Sequence, residues 1–199
     1  MKQRKFSSVL AAALVMIFIS PVTADDNTAT ARLTGYQEYP LTLNSPGSGE
    51  FKARISHDEA SIDFVLTYRG FVSSPPGAAV QPTQAHIHFG RPATSGMIVL
   101  FLCTNAAPPA GVPTPQPCPA APATVTGTLT LLDVIARPDQ GIEAGAAGFA
   151  AIVKAIRAGA TYANVHTPTR PAGEIRGHID DHRGDDHRDD HRGDNQRNK

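Results

Sequence analysis

Two polar motifs about eighty residues apart carry the chemistry that this 199-residue chain could do. One is Ala85-His86-Ile87-His88-Phe89-Gly90. The other is Asn164-Val165-His166-Thr167, followed closely by Gly173-Glu174-Ile175-Arg176-Gly177. Both read as short strands. Alternate residues of a strand share a face, so His86 and His88 point the same way, with α-carbons roughly 6.5–7 Å apart. At that spacing two imidazoles can converge on one ion. Neutral imidazole suits copper and zinc, and three or four nitrogens complete a site. His86, His88 and His166 are the candidate ligands and His178 is a candidate fourth. Glu174 and Arg176 would orient them from behind. Two other readings use the same residues. A hydrogen-bonded polar network would fix strand register, because a one-residue slip would throw charged groups into the core. A pocket for an anion or a carbohydrate would use Arg176 and the imidazoles as donors.

Other chemistries are missing. The sequence holds no nucleophile elbow, P-loop, paired catalytic carboxylates or zinc-protease helix motif, so no motif specifies an enzyme. Copper or zinc is the one cofactor class these residues suggest. A further metal-binding possibility lies at the C-terminus, where Asp-Asp-His-Arg recurs and presents His182, His187 and His191. Carboxylate and imidazole repeats bind transition metals weakly. The same composition also makes a solvated tail, and with no apolar residue to bury it, residues 180–199 are expected to be disordered.

The elements that must position these side chains are strands. Ile62, Phe64, Leu66 and Tyr68 alternate with Asp63, Val65, Thr67 and Arg69, the strongest period-two pattern in the chain. Phe51, Ala53 and Ile55 precede them across a Ser56-His57-Asp58 turn, which should leave His57 exposed. Met97 to Cys103 is a continuous apolar run, the pattern of a strand that is central or buried on both faces. Val125, Gly127, Leu129 and Leu131 alternate with threonines. Ala163 and Val165, then Ile175 and Ile179, supply two closing strands. Proline and glycine punctuate these units, which argues for an antiparallel sandwich or barrel. One segment has helical period: Phe149, Ile152, Val153 and Ile156 predict a helix over about 145–158, capped by Gly159 and packed across one end.

The N-terminus reads as a secretory signal over residues 1–24. Lys2, Arg4 and Lys5 precede the apolar run Val9–Ile19, and Val22-Thr23-Ala24 offers small residues for cleavage. No later segment is apolar enough to span a membrane. Residues 25–179 suit one domain. Removing the signal leaves 15 Lys+Arg against 18 Asp+Glu, not the balance of a nucleic-acid binder. Export also bears on Cys103 and Cys118, the two cysteines of the chain. In an oxidising compartment such a pair is expected to close. Its role would be to pin the proline-rich segment between them to the sheet, stabilising by roughly 3 kcal/mol for a loop of about 15 residues.

With both motifs in place, residues 30–179 resemble the CHRD domain, the module first named from repeats in chordin and common in secreted bacterial proteins. The resemblance rests on Leu33-Thr34-Gly35-Tyr36-Gln37-Glu38, the Gly49 turn into Phe51, and the His86 motif. It continues through Gly159–Tyr162 into the His166 motif, and ends with Pro171 and Gly173–Gly177. The family pattern differs at Tyr39-Pro40-Leu41 and at Ser95-Gly96-Met97, both loops. The resemblance implies an immunoglobulin-like or superoxide-dismutase-like sandwich and an extracellular binding or interaction module of unestablished ligand or protein partner. His-x-His followed by Phe-Gly is also similar to the first copper-ligand strand of Cu/Zn superoxide dismutases. Against dismutase activity, no histidine lies between His88 and His166 to build the bridged zinc cluster, and the cysteine spacing differs. A small copper or zinc metalloprotein and a purely structural extracellular domain both remain readings of the chain.

Overall fold

The structure, a computed structural model, describes residues 27–181 except 109, 111 and 112. The expected signal segment 1–24 and the tail histidines His182, His187 and His191 lie outside the described residues. The strands are β1 (Thr28–Thr34), β2 (Ser48–Ile55), β3 (Ser61–Arg69), β4 (Gln84–Phe89), β5 (Met97–Thr104), β6 (Ala123–Thr130), β7 (Thr161–Thr167), β8 (Arg170–His178) and the short β9 (Asp180–Asp181). They form one sheet in the order β5-β4-β7-β8-β1-β2-β3-β6, with β9 on β1. Every pairing among the described strands is antiparallel. The fold is thus all-β, with one helix, as the alternation predicted.

Period two becomes an inside and an outside. Phe51, Ala53 and Ile55 on β2 are buried, as are Ile62, Phe64, Leu66 and Tyr68 on β3, while the residues between them face outward. The turn joining these strands is held by Ser56, whose hydroxyl accepts from the amides of Ala60 and Ser61, and His57 is exposed. Ala85, Ile87, Ala163, Val165 and Ile175 point into the same core. Helix α1 (Gly145–Arg157) adds Phe149, Ile152, Val153 and Ile156. Its apolar stripe covers one end of the folded-over sheet, beside β9.

The apolar run of β5 differs from a central strand. β5 ends the sheet order, and β6 ends it on the other side. It is nonetheless buried from Val99 to Thr104. The sheet curls until β5 and β6 approach each other, and residues 113–116 lie along the seam between them. Cys103 and Cys118 form a disulfide there. Gln116 spans the same seam. Its carbonyl accepts from the Thr104 amide at 2.9 Å, and its side-chain Nε2 donates to Thr126 O at 2.8 Å. Two edges that would otherwise be open are thereby covered.

Candidate metal centre

β4 lies between β5 and β7, so its outward side chains meet those of both neighbours. His86 stands opposite Asn164, His88 opposite Tyr162, and Gln84 opposite His166. The outer face thus carries a diagonal of imidazoles. The rings of His86 and His88 are 4.6 Å apart, and those of His86 and His166 are also 4.6 Å apart. One ligand atom from each of the three lies within 4.8 Å of the others. Metal–nitrogen bonds of about 2.0–2.1 Å are reached once the rings close in by about an ångström or less. Among the described residues no carboxylate or thiolate joins the set.

Backbone carbonyls fix two of the rings. His88 Nδ1 is 2.8 Å from Gly96 O, and His166 Nδ1 is 2.9 Å from Pro171 O. A carbonyl only accepts, so each Nδ1 carries the proton and each Nε2 presents a lone pair. Those two Nε2 atoms, with both nitrogens of His86, are buried and have no hydrogen-bond partner among the described residues. Removal from water holds all three imidazoles neutral: it pushes His88 down to about 4, His86 well below the usual histidine value, and His166 down as well. Phe101 covers His86 edge-on at 5.4 Å.

A close backbone approach brings one carbonyl into place. Gly96, at the end of the β4–β5 loop, lies so near Phe89 that an added Cβ would sit 1.9 Å from Phe89 O. The Gly96 amide donates to Tyr162 Oη at 3.1 Å. Tyr162 in turn stacks on His88, ring centroids 4.5 Å apart and planes 9° off parallel. The Arg176 guanidinium lies over the Tyr162 ring at 3.5 Å. Its Nη2 donates to Arg91 O and Thr94 O.

The remaining expected site residues fall elsewhere. His178 is outside the cluster, with Nε2 3.8 Å from Asp180 Oδ1 and the ring beside Gly159. It shares a row with Tyr162, whose ring stands between it and His88 in the register. Glu174 is buried but meets no imidazole. It accepts from Ser45 Oγ, the Val72 amide and Thr167 Oγ1, tying β8 to two loops. Arg176 reaches His88 only through the Tyr162 ring. The orienting partners are carbonyls, which side-chain motifs do not reveal.

Sequence reasoning passed over Tyr162 and Asn164, and gave no role to Glu38. The signal was present: Tyr162, Asn164 and His166 share a strand face by period two. Glu38 is 8 % exposed, and Asn164 Nδ2 donates to both its carboxylate oxygens at 3.2 Å. Burial pushes this carboxyl up to about 7, against the opposing pull of Asn164 and Arg176. Gly173, at φ +126°, makes room for the pair, since a Cβ there would come within 2.8 Å of both side chains. Glu38 and Arg176 also line a cleft of about 260 Å³ with Tyr36, Tyr39 and Pro92. The clustered imidazoles do not line that cleft.

A disulfide-bearing, nearly closed antiparallel β module with a largely buried cluster of three imidazoles on its outer face is the class defined by this fold and site. The chain belongs to the CHRD domain family, whose sequence pattern matches residues 29–179. That pattern spans both histidine motifs and the cysteine-bearing segment. No curated protein matches the chain, and no solved structure does. No helix among the described residues is long and apolar enough to cross a membrane.

Proposed function

We propose that the chain is a secreted CHRD module that holds a copper or zinc ion on His86, His88 and His166. One observation carries the reading: the buried nitrogens that face each other cannot satisfy one another. Neutral His88 and His166 offer only lone pairs at Nε2, because their protons are spent on Gly96 O and Pro171 O. His86 has one N–H and one further lone pair. One donor therefore faces three acceptors. A network of these rings alone leaves at least two buried lone pairs unanswered, at about 1–3 kcal/mol each. A cation answers all three. The count weighs equally against an anion pocket at this spot, where lone pairs would face negative charge.

The disulfide supports an oxidising compartment, consistent with export on a signal over residues 1–24. A structural role without metal remains the rival. Elemental analysis of protein ending at Asp181, which keeps β9 and removes the tail histidines, separates the two. About one equivalent of copper or zinc, lost in His86→Ala, is the expected result. Metal retained only by protein carrying residues 182–199 would leave the core cluster as a structural feature.

A further inference from the structure

The charge around the cluster says which ion it takes. Resting on the metal-binding reading above, we infer that the three-imidazole centre is selective for a monovalent soft cation, cuprous copper, over Zn(II) and Cu(II). Imidazole serves both metals, so ligand type does not choose between them. Charge does. The centre has three neutral ligands and no anionic one among the described residues. The cost of burying an ion grows with the square of its charge, so a dication costs about four times what a monocation does in the same surroundings.

Zinc and cupric sites offset that cost with a carboxylate, a thiolate or solvent-derived anion. Each source is closed here. Glu174 spends its oxygens on Ser45, Val72 and Thr167. Glu38 is turned to Asn164. The facing imidazole nitrogens are shut away from solvent, with Phe101 over His86, so a solvent-derived anion has no exposed approach to them.

The fixed charges that act on His88 have the wrong sign for a dication. The Arg176 guanidinium lies 3.5 Å over Tyr162, whose ring stacks on His88. The ring stands between the guanidinium and the cluster, and Nη2 is committed to two carbonyls. With that ring in the way, Arg176 adds positive potential to the cluster but reaches it only across the Tyr162 face. Arg137, bonded through Nε to Ile98 O at 2.7 Å, adds a second positive charge acting on His88.

The test uses the full secreted chain with His182→Asn, His187→Asn and His191→Asn, so that only the folded domain can bind. Cu(I) is titrated without oxygen against a coloured Cu(I) chelator, and Zn(II) and Cu(II) against chelators of known affinity. The expected result is one Cu(I) per chain, bound at least about 100-fold more tightly than Zn(II), with X-ray absorption showing imidazole scattering. Arg176→Gln should narrow that ratio by improving dication binding. The wild-type comparison stands alone if this variant fails to fold. Zn(II) or Cu(II) bound as tightly as Cu(I), and displaced by His88→Ala, would overturn the selectivity while leaving the metal centre. No ion responding to His88→Ala would overturn both.

Discussion

Half-buried His88 and buried Glu38 are ionisable groups whose removal from water acts in opposite directions on stability. Burial holds His88 neutral, down at about 4. Between there and the ordinary histidine value near 6.5, the unfolded chain binds a proton that the folded chain refuses, so stability falls as pH falls. His86 and His166 are shifted the same way. Glu38 is held up at about 7. Between its ordinary value and 7 the folded chain keeps a proton that the unfolded chain releases, so stability falls as pH rises. Three histidines outweigh one carboxyl, and metal-free protein is expected to lose stability from pH 7 to pH 5. Glu38→Gln removes the offsetting contribution. Denaturant melts should show it more stable than wild type by about 1–3 kcal/mol at pH 8, nearly unchanged at pH 5, and steeper in acid. A parallel pair of pH profiles would show that Glu38 does not carry the proton assigned to it.

The β4–β5 loop is the element that places the centre. It returns the chain so tightly that only glycine fits at 96, and that return sets a carbonyl against His88 Nδ1. Gly96→Ala must push the loop off Phe89 and so free the ring. Loss of such an orienting partner typically costs 10–100-fold in metal affinity, and about that loss is expected while the far-ultraviolet circular dichroism stays that of a β protein. Unchanged affinity would mean that His88 is oriented by Tyr162 alone. At this scale the sequence was legible wherever a side chain declares its own environment. Alternation marked β2 and β3, helical spacing marked α1 to within a residue at its end, and His-x-His marked a shared face. The backbone carbonyls on His88 and His166 declare nothing, because any residue can supply them. Glu174 and His178 were misplaced for a related reason. Period two gives the face of a strand, but not which loop or neighbouring ring stands beside each position on it.

The closure of the whole molecule depends on a short segment between its two edge strands. The apolar run left β5 either central or buried on both faces; it is an edge strand buried on both faces, because the sheet curls round to meet β6. The Cys103–Cys118 bond and the Gln116 bridges hold that meeting. The cysteines are 15 residues apart, and closing a loop of that size constrains the unfolded chain by about 3 kcal/mol. The double variant Cys103→Ala, Cys118→Ala should lower unfolding free energy by about that amount in urea, and reduction of wild type should match it. The effect should also be local. His86 lies opposite Phe101 across the β4–β5 pair, with a register shift separating it from the Ala85–Cys103 pair, so a loosened seam frays β5 while β4 stays paired with β7 on its other side. Amide exchange should therefore quicken at Leu102 to Thr104 and at Val125 to Leu129 before it does at Asn164 or His166. Equal quickening across both regions would mean that the seam and the histidine face open as one unit, and that the disulfide holds the metal centre together as well as the barrel edge.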